Sequence, residues 1–209
     1  MGRGTGAPYL EAAFSPWITM KYCTAGEGFR KREEAVSTMW VFAVVLLQRA
    51  GELALCRRNR RALVLRGGRE FFPETYPAMV ALHTLFLLSL AWESRPWRVP
   101  LDLRTYACLA ALLPVTFLRY WSIATLGAYW TTRIVAVPGS RVIRAGPFRW
   151  IRHPNYLVIV LEFLLLPLLL RAPFTLVAFS LANLVVLRQR IRLEERILMD
   201  HTDYGDRFA

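Results

Sequence analysis

The sequence predicts an all-α integral membrane protein of about five transmembrane helices, with a loop and a helix extension forming a pocket on one membrane face. Three observations lead there. Hydrophobic residues make up 55% of the 209-residue chain, and they gather in blocks where a soluble fold would spread them in half-buried periodic stretches. The formal net charge is +12, carried almost wholly by arginine, and the arginines flank those blocks as the cytoplasmic connections of membrane proteins do. Two polar clusters, residues 145–156 and 190–195, bracket an apolar hairpin.

This length predicts one domain. Residues 1–38 are mixed in character, without an apolar run long enough for a signal peptide core, and their glycines do not follow a strand. We read them as a dispensable extension ahead of Met39, with the membrane domain over 39–209 and its catalytic part over about 127–209. The flanking arginines favour a lipid bilayer, not nucleic acid, as partner. Cys23, Cys56 and Cys108 lie far apart and suggest neither a disulfide framework nor a zinc site; with only His83, His153 and His201, no metal is expected.

The first span is expected over about 38–55. Its second half carries Gln48, Arg49 and Glu52, spaced to share one helix face and to act as a polar clamp between helices. An arginine run, 57–61, and Arg66-Gly67-Gly68-Arg69 follow. The second span, about 76–92, contains His83, read as a helix-packing residue. The third, about 101–126, contains Pro114, a kink signal, and ends near Arg119, Tyr120 and Trp121, types suited to an interface. Residues 131–137 and 141–143 are β-branched runs about Pro138-Gly139 and predict a hairpin over the membrane face. The fourth span, about 155–170, is short, roughly 24 Å by helix rise. Arg171-Ala172-Pro173 predicts a tight turn into a fifth span, 174–187, which continues into the charged 188–200. The arginine-rich connections then place residues 127–154 and the C-terminus on the cytoplasmic side of the membrane.

The two clusters carry the chemistry. His153 precedes Pro154 at a helix start, where free backbone N–H groups favour an anion. Arg190 and Glu194 are four apart and share a face, the arginine suited to an anionic oxygen and the glutamate to an ammonium. Such a set suits a zwitterionic cofactor and an anionic acceptor.

Gly146-Pro147-Phe148-Arg149-Trp150-Ile151-Arg152-His153-Pro154-Asn155-Tyr156, followed by Arg190-Ile191-Arg192-Leu193-Glu194-Glu195, resembles the isoprenylcysteine carboxyl methyltransferase family. The likeness extends upstream through 126–132, 48–53 and 66–68, stretches similar to a bacterial subgroup associated with O-methylation of alkylpyrones and phenolic lipids. It implies an integral membrane enzyme using S-adenosyl-L-methionine to methylate an anionic oxygen of a lipophilic small-molecule or prenylated acceptor. The family's cofactor contacts fall on Val142, Ile143, Phe148, His153, Pro154, Asn155, Tyr156 and Glu194, with Glu195 beside them, and its acceptor-binding arginine on Arg190. Val158 stands where eukaryotic members often carry glycine, which counts against a prenylcysteine acceptor. Three other readings stay open: an intramembrane NADPH-dependent sterol or enone reductase, whose fold carries a related motif; a phospholipid N-methyltransferase; and a membrane adaptor without activity.

Overall fold

Glycine and proline set the helix ends, and the apolar blocks set the helices. The computed structural model describes residues 35–205. Along the chain run β1 (Ala35–Ser37), α1 (Met39–Leu65), β2 (Arg69–Phe71), α2 (Tyr76–Glu93), β3 (Arg98–Pro100), α3 (Leu103–Leu126), β4 (Ile134–Ala136), α4 (Pro154–Leu169) and α5 (Pro173–His201). α1, α2, α3 and α5 belong to helices long and apolar enough to cross a membrane, and α4 is a shorter apolar helix. The all-α membrane fold expected from the sequence is the one observed.

α1 runs ten residues past its expected end near Leu55, through the arginine run to Leu65. Arginine is a good helix former, and no breaker intervenes before Gly67. There the chain closes a Schellman cap: the Gly68 N–H donates to Leu63 O at 2.9 Å and the Gly67 N–H to Val64 O at 3.0 Å, with Gly67 at φ +83°. The arginines therefore stand on a helix, in fixed register.

The expected hairpin between 131–137 and 141–143 does not form. β4 pairs antiparallel with β2 instead, Glu70 opposite Val135. Competing bonds explain it. The Gly139 N–H donates to His201 O at 3.0 Å and the Val142 N–H to Asp203 Oδ1 at 2.6 Å, which pins 139–142 to the end of α5. β1 pairs with β3, and the Thr38 N–H donates to Trp97 O at 2.8 Å, so residues 35–38 of the stretch read as an extension join the domain. Residues 1–34 lie outside the described residues.

α4 is the spine of the bundle, packed on α3 and on α5, while α5 also packs on α2. Away from the two polar clusters, its core gathers Val41, Phe86, Leu90, Phe163, Leu166 and Leu169, with the Phe86 and Phe163 rings stacked at 4.0 Å. Packing of this kind, not hydrophobic transfer, holds helices together in lipid. The same end is tied by polar caps. Glu93 accepts from the Phe174 and Thr175 N–H groups, both at 2.8 Å, and so satisfies orphan donors at the start of α5. Asp102 caps α3 through the Thr105 N–H at 2.9 Å and pairs with Arg171. The Thr105 bond, then the Arg171 guanidinium, hold the Asp102 carboxyl at about 2.

Candidate active site

His153 is the N-cap of α4, and Pro154, fully buried, begins the helix with a residue that has no N–H to satisfy. Tyr156 lies on the first turn and donates its hydroxyl to the Glu194 carboxylate of α5. His153 Nε2 lies 3.0 Å from Glu195 Oε1, and the Tyr204 hydroxyl donates to the same oxygen at 3.2 Å. Burial, then the Glu195 charge, push the Tyr204 hydroxyl up to about 12, so it stays a donor. The adjacent glutamates thus serve different partners, because neighbouring residues on a helix point about 100° apart at 3.6 residues per turn.

Arg190, 4% exposed, sits one turn before Glu194. Its Nη2 donates to Thr132 O at 2.8 Å, and its Nε is buried with no partner among the described residues. The Thr132 N–H in turn donates to Cys56 Sγ at 2.9 Å, and Asn59 Nδ2 reaches both Gly127 O and Trp130 O at 2.9 Å. The segment 127–133 is thereby fastened to α1 and α5. The loop holding Phe148 is fixed by close approach: a Cβ on Gly146 would stand 2.4 Å from Thr125 Oγ1 and 3.0 Å from Trp121 Nε1, at φ +52°. Only glycine meets both demands.

A cavity of about 550 Å³ results. Val142, Ile143, Phe148, His153, Asn155, Tyr156, Arg190 and Glu194 border it, drawn from three separate stretches of sequence. Pro154 and Glu195 do not; the first is a helix start and the second holds His153 from outside. Arg141 and Arg152 add positive charge to the rim.

The cavity continues into the bundle between α1 and α2, past Leu46, Arg49, Glu52 and His83 to Leu87 and Leu88. Leu46, Val80 and Leu88 line it yet are 56%, 41% and 62% exposed, so this wall opens sideways to the surroundings of the bundle. His83 Nδ1 lies 2.9 Å from its own helix at Met79 O, and its ring meets Phe163 edge-on at 5.1 Å, which fits its reading as a packing residue that also faces the cavity.

Between these levels lies an ionic quartet. Arg49 donates to Glu52 at 2.7 Å and to Glu162 at 2.5 Å; Arg119 donates to Glu52 at 3.0 Å and to the same Glu162 oxygen at 2.5 Å. Gln48 adds a bond to Glu52 at 3.1 Å. The clamp expected from Gln48, Arg49 and Glu52 is present, but Arg119 is corrected: it is buried, 5% exposed, and not at an interface. Its carboxylate partners draw it inward. Glu162 went unnoticed in the sequence, although a lone acid inside an apolar helix is a signal of a buried partner. From Tyr156 to Glu162 the depth is about 9 Å along α4 by helix rise.

Comparison with known proteins accords with this arrangement. The isoprenylcysteine carboxyl methyltransferase (ICMT) family profile matches residues 108–200, which contain the His153 loop, α4 and nearly all of α5. The chain is 39% identical over 162 residues to the uncharacterized protein YpbQ of Bacillus subtilis, spanning 78% of this chain and 96% of that protein. It is 26% identical over 155 residues to an uncharacterized protein of Haemophilus influenzae, spanning 74% and 90% of the two. No solved structure matches. With both polar clusters inside the matched region and a multi-pass helical fold around them, the chain belongs to the isoprenylcysteine carboxyl methyltransferase family.

Proposed function

We propose that this protein is an S-adenosyl-L-methionine-dependent O-methyltransferase acting on an anionic oxygen of a lipophilic acceptor. The observation that carries it is a single cavity holding two opposed charges, Arg190 and Glu194, at one end and opening sideways between apolar helices at the other.

The donor set fits the cofactor. Glu194, fixed by the Tyr156 hydroxyl, suits the ammonium of a methionyl group, and the apolar walls at Val142, Ile143 and Phe148 suit an adenine ring. The orphaned Arg190 Nε is a buried donor in want of an acceptor. When bound, S-adenosyl-L-methionine supplies an electrophilic methyl group on sulfonium. His153 helps shape the pocket, and the Glu195–Tyr204 pair keeps its ring in place.

Arg190 holds the acceptor's oxygen as an anion and orients it. A carboxylate or an acidic enol needs no base, so alignment and exclusion of water do most of the catalytic work. The acceptor reaches Arg190 from the side, between α1 and α2, while the polar cofactor arrives from the face bearing the His153 loop, which we place in the cytoplasm. Family membership favours methyl transfer over hydride transfer.

The test supplies labelled S-adenosyl-L-methionine to membranes containing the full chain, with prenylcysteine, alkylpyrone and aminophospholipid acceptors compared. Label passing to an acidic oxygen acceptor, and lost in Arg190→Ala, is the expected result. Binding of NADPH without binding of S-adenosylhomocysteine would overturn the proposal.

A further inference from the structure

Beside the large cavity lies a second of about 360 Å³, at the site end of α1. Its character is different. Arg57, Arg60 and Arg61 line it from α1 and Arg133 from the segment before β4, with Leu53, Cys56 and Tyr76 below them. The proposed methyl transfer uses none of these arginines.

The charges in this cavity do not balance. Glu70 pairs with Arg60 at 2.8 Å and with Arg133, and burial, which would raise its carboxyl, is outweighed by these guanidiniums. Arg57 and Arg61 have no hydrogen bond or ion pair among the described residues. Four guanidiniums thus line the cavity and no carboxylate among the described residues does; Glu70, outside the lining, offsets one of them and leaves an excess of three positive charges. Arg133 is also held in place, its guanidinium 4.0 Å above the Tyr76 ring. Charge flanking a membrane helix accounts for arginines on α1. It does not account for a fourth one, fixed on another segment and closing a concave site with them.

We propose that this cavity binds the phosphate of an anionic phospholipid. Guanidiniums in fork geometry suit phosphate oxygens, and basic pockets between helices at a membrane face take acidic headgroups. A lipid source, as opposed to a free anion, follows from the register of α1. Leu46, Leu53, Arg57 and Arg60 follow at intervals of seven, four and three, which lays them along one stripe of the helix. Leu46 and Leu53 are 56% and 38% exposed, so the stripe offers an apolar track for acyl chains leading up to the arginines. The two cavities share Leu53, Tyr76 and the wall 131–133, whose Thr132 carbonyl holds Arg190, so a bound lipid would sit against the candidate site with its chains beside the sideways opening at Leu46.

The experiment reconstitutes the full chain in lipid discs of phosphatidylcholine doped with spin-labelled phosphatidylglycerol or spin-labelled phosphatidylcholine, and measures the motionally restricted fraction of each. We expect the protein to prefer phosphatidylglycerol, and Arg57→Gln/Arg61→Gln to lower that preference about thirtyfold, the ratio for two surface arginines at about 1 kcal/mol each. Arg58, Arg60 and Arg66 remain to set orientation, and Arg57→Lys/Arg61→Lys keeps most of the preference, separating charge from fold. Equal preference in the wild-type chain and in the glutamine variant would overturn the proposal. So would inorganic phosphate displacing the labelled lipid at low millimolar concentration, which would mark a free-anion site. The readout needs no methyl transfer, so it stands or falls apart from the enzymatic reading.

Discussion

Replacing Glu162 by leucine leaves the buried Arg119 and the half-buried Arg49 facing one carboxylate. In the native quartet Glu162 accepts from Arg49 and Arg119, each at 2.5 Å, and two positive charges meet two negative ones across α1, α3 and α4. An Arg–Glu attraction at about 4 Å and an effective dielectric near 20 is about 4 kcal/mol before solvation is counted. Removing one partner of a buried pair costs about 3–5 kcal/mol net, because the surviving charge stays buried and unpaired. Against a total stability of about 5–15 kcal/mol, Glu162→Leu should remove a large share. The paired variant Arg49→Leu/Glu162→Leu restores neutrality, with Arg119 and Glu52 left bonded at 3.0 Å. It should therefore be more stable than Glu162→Leu, although it carries one more substitution. Reversible unfolding in mixed micelles of mild and denaturing detergent, followed by circular dichroism, gives the double-mutant cycle. A coupling within about 0.5 kcal/mol of zero would mean the four side chains act independently, and the charge-balance argument would fail.

Four further outcomes follow from the same geometry. Arg190→Lys should lower kcat/KM on the order of a hundredfold while leaving S-adenosylhomocysteine binding near wild type, since lysine cannot reproduce the fork that holds the acceptor; unchanged turnover would remove Arg190 from acceptor binding. Tyr156→Phe deletes the bond that fixes Glu194, one charge-assisted hydrogen bond, and should weaken S-adenosylhomocysteine binding about tenfold or more by calorimetry with little change in acceptor KM. Gly146→Ala places a methyl 2.4 Å from Thr125 Oγ1 and should cost about 1–3 kcal/mol, in part recovered by Thr125→Ala, as thermal unfolding will show. Asp102, held at about 2 against an ordinary 3.8, is depressed in the folded state; its contribution is present above 3.8 and is lost as pH falls through about 2. Asp102→Asn should flatten that acid limb of the stability curve.

The chain itself displays a good deal of this. Apolar blocks marked five helices, and the boundaries at Pro154, Pro173 and Glu93 fall within two residues of their expected places, because proline and charge act locally. The end of α1 did not, since arginine reads equally well as helix or as loop until a glycine decides. The hairpin expected over 131–143 had the right residues for strands but the wrong partner. β pairing is a choice among distant segments, and here Glu70 and Asp203 drew the two halves apart.

For the candidate site, spacing alone put Arg190 and Glu194 on one helix face, and the order of motifs pointed to His153 and Tyr156 as their companions. The residue types, and hence the kind of chemistry, belong to the sequence. Their convergence was decided in three dimensions, by a hairpin whose turn at Arg171–Ala172 returns α5 alongside α4 and brings Tyr156 to Glu194. Only the folded structure separates Glu194, facing the cavity, from Glu195, which holds His153 and Tyr204. Adjacent identical residues differ there by nothing but helical phase. The quartet shows the same division most plainly. Arg49 and Glu52 could be paired from sequence because three residues separate them. Arg119 and Glu162 could not, because what joins them is the requirement that buried charges balance, and that requirement is met across helices.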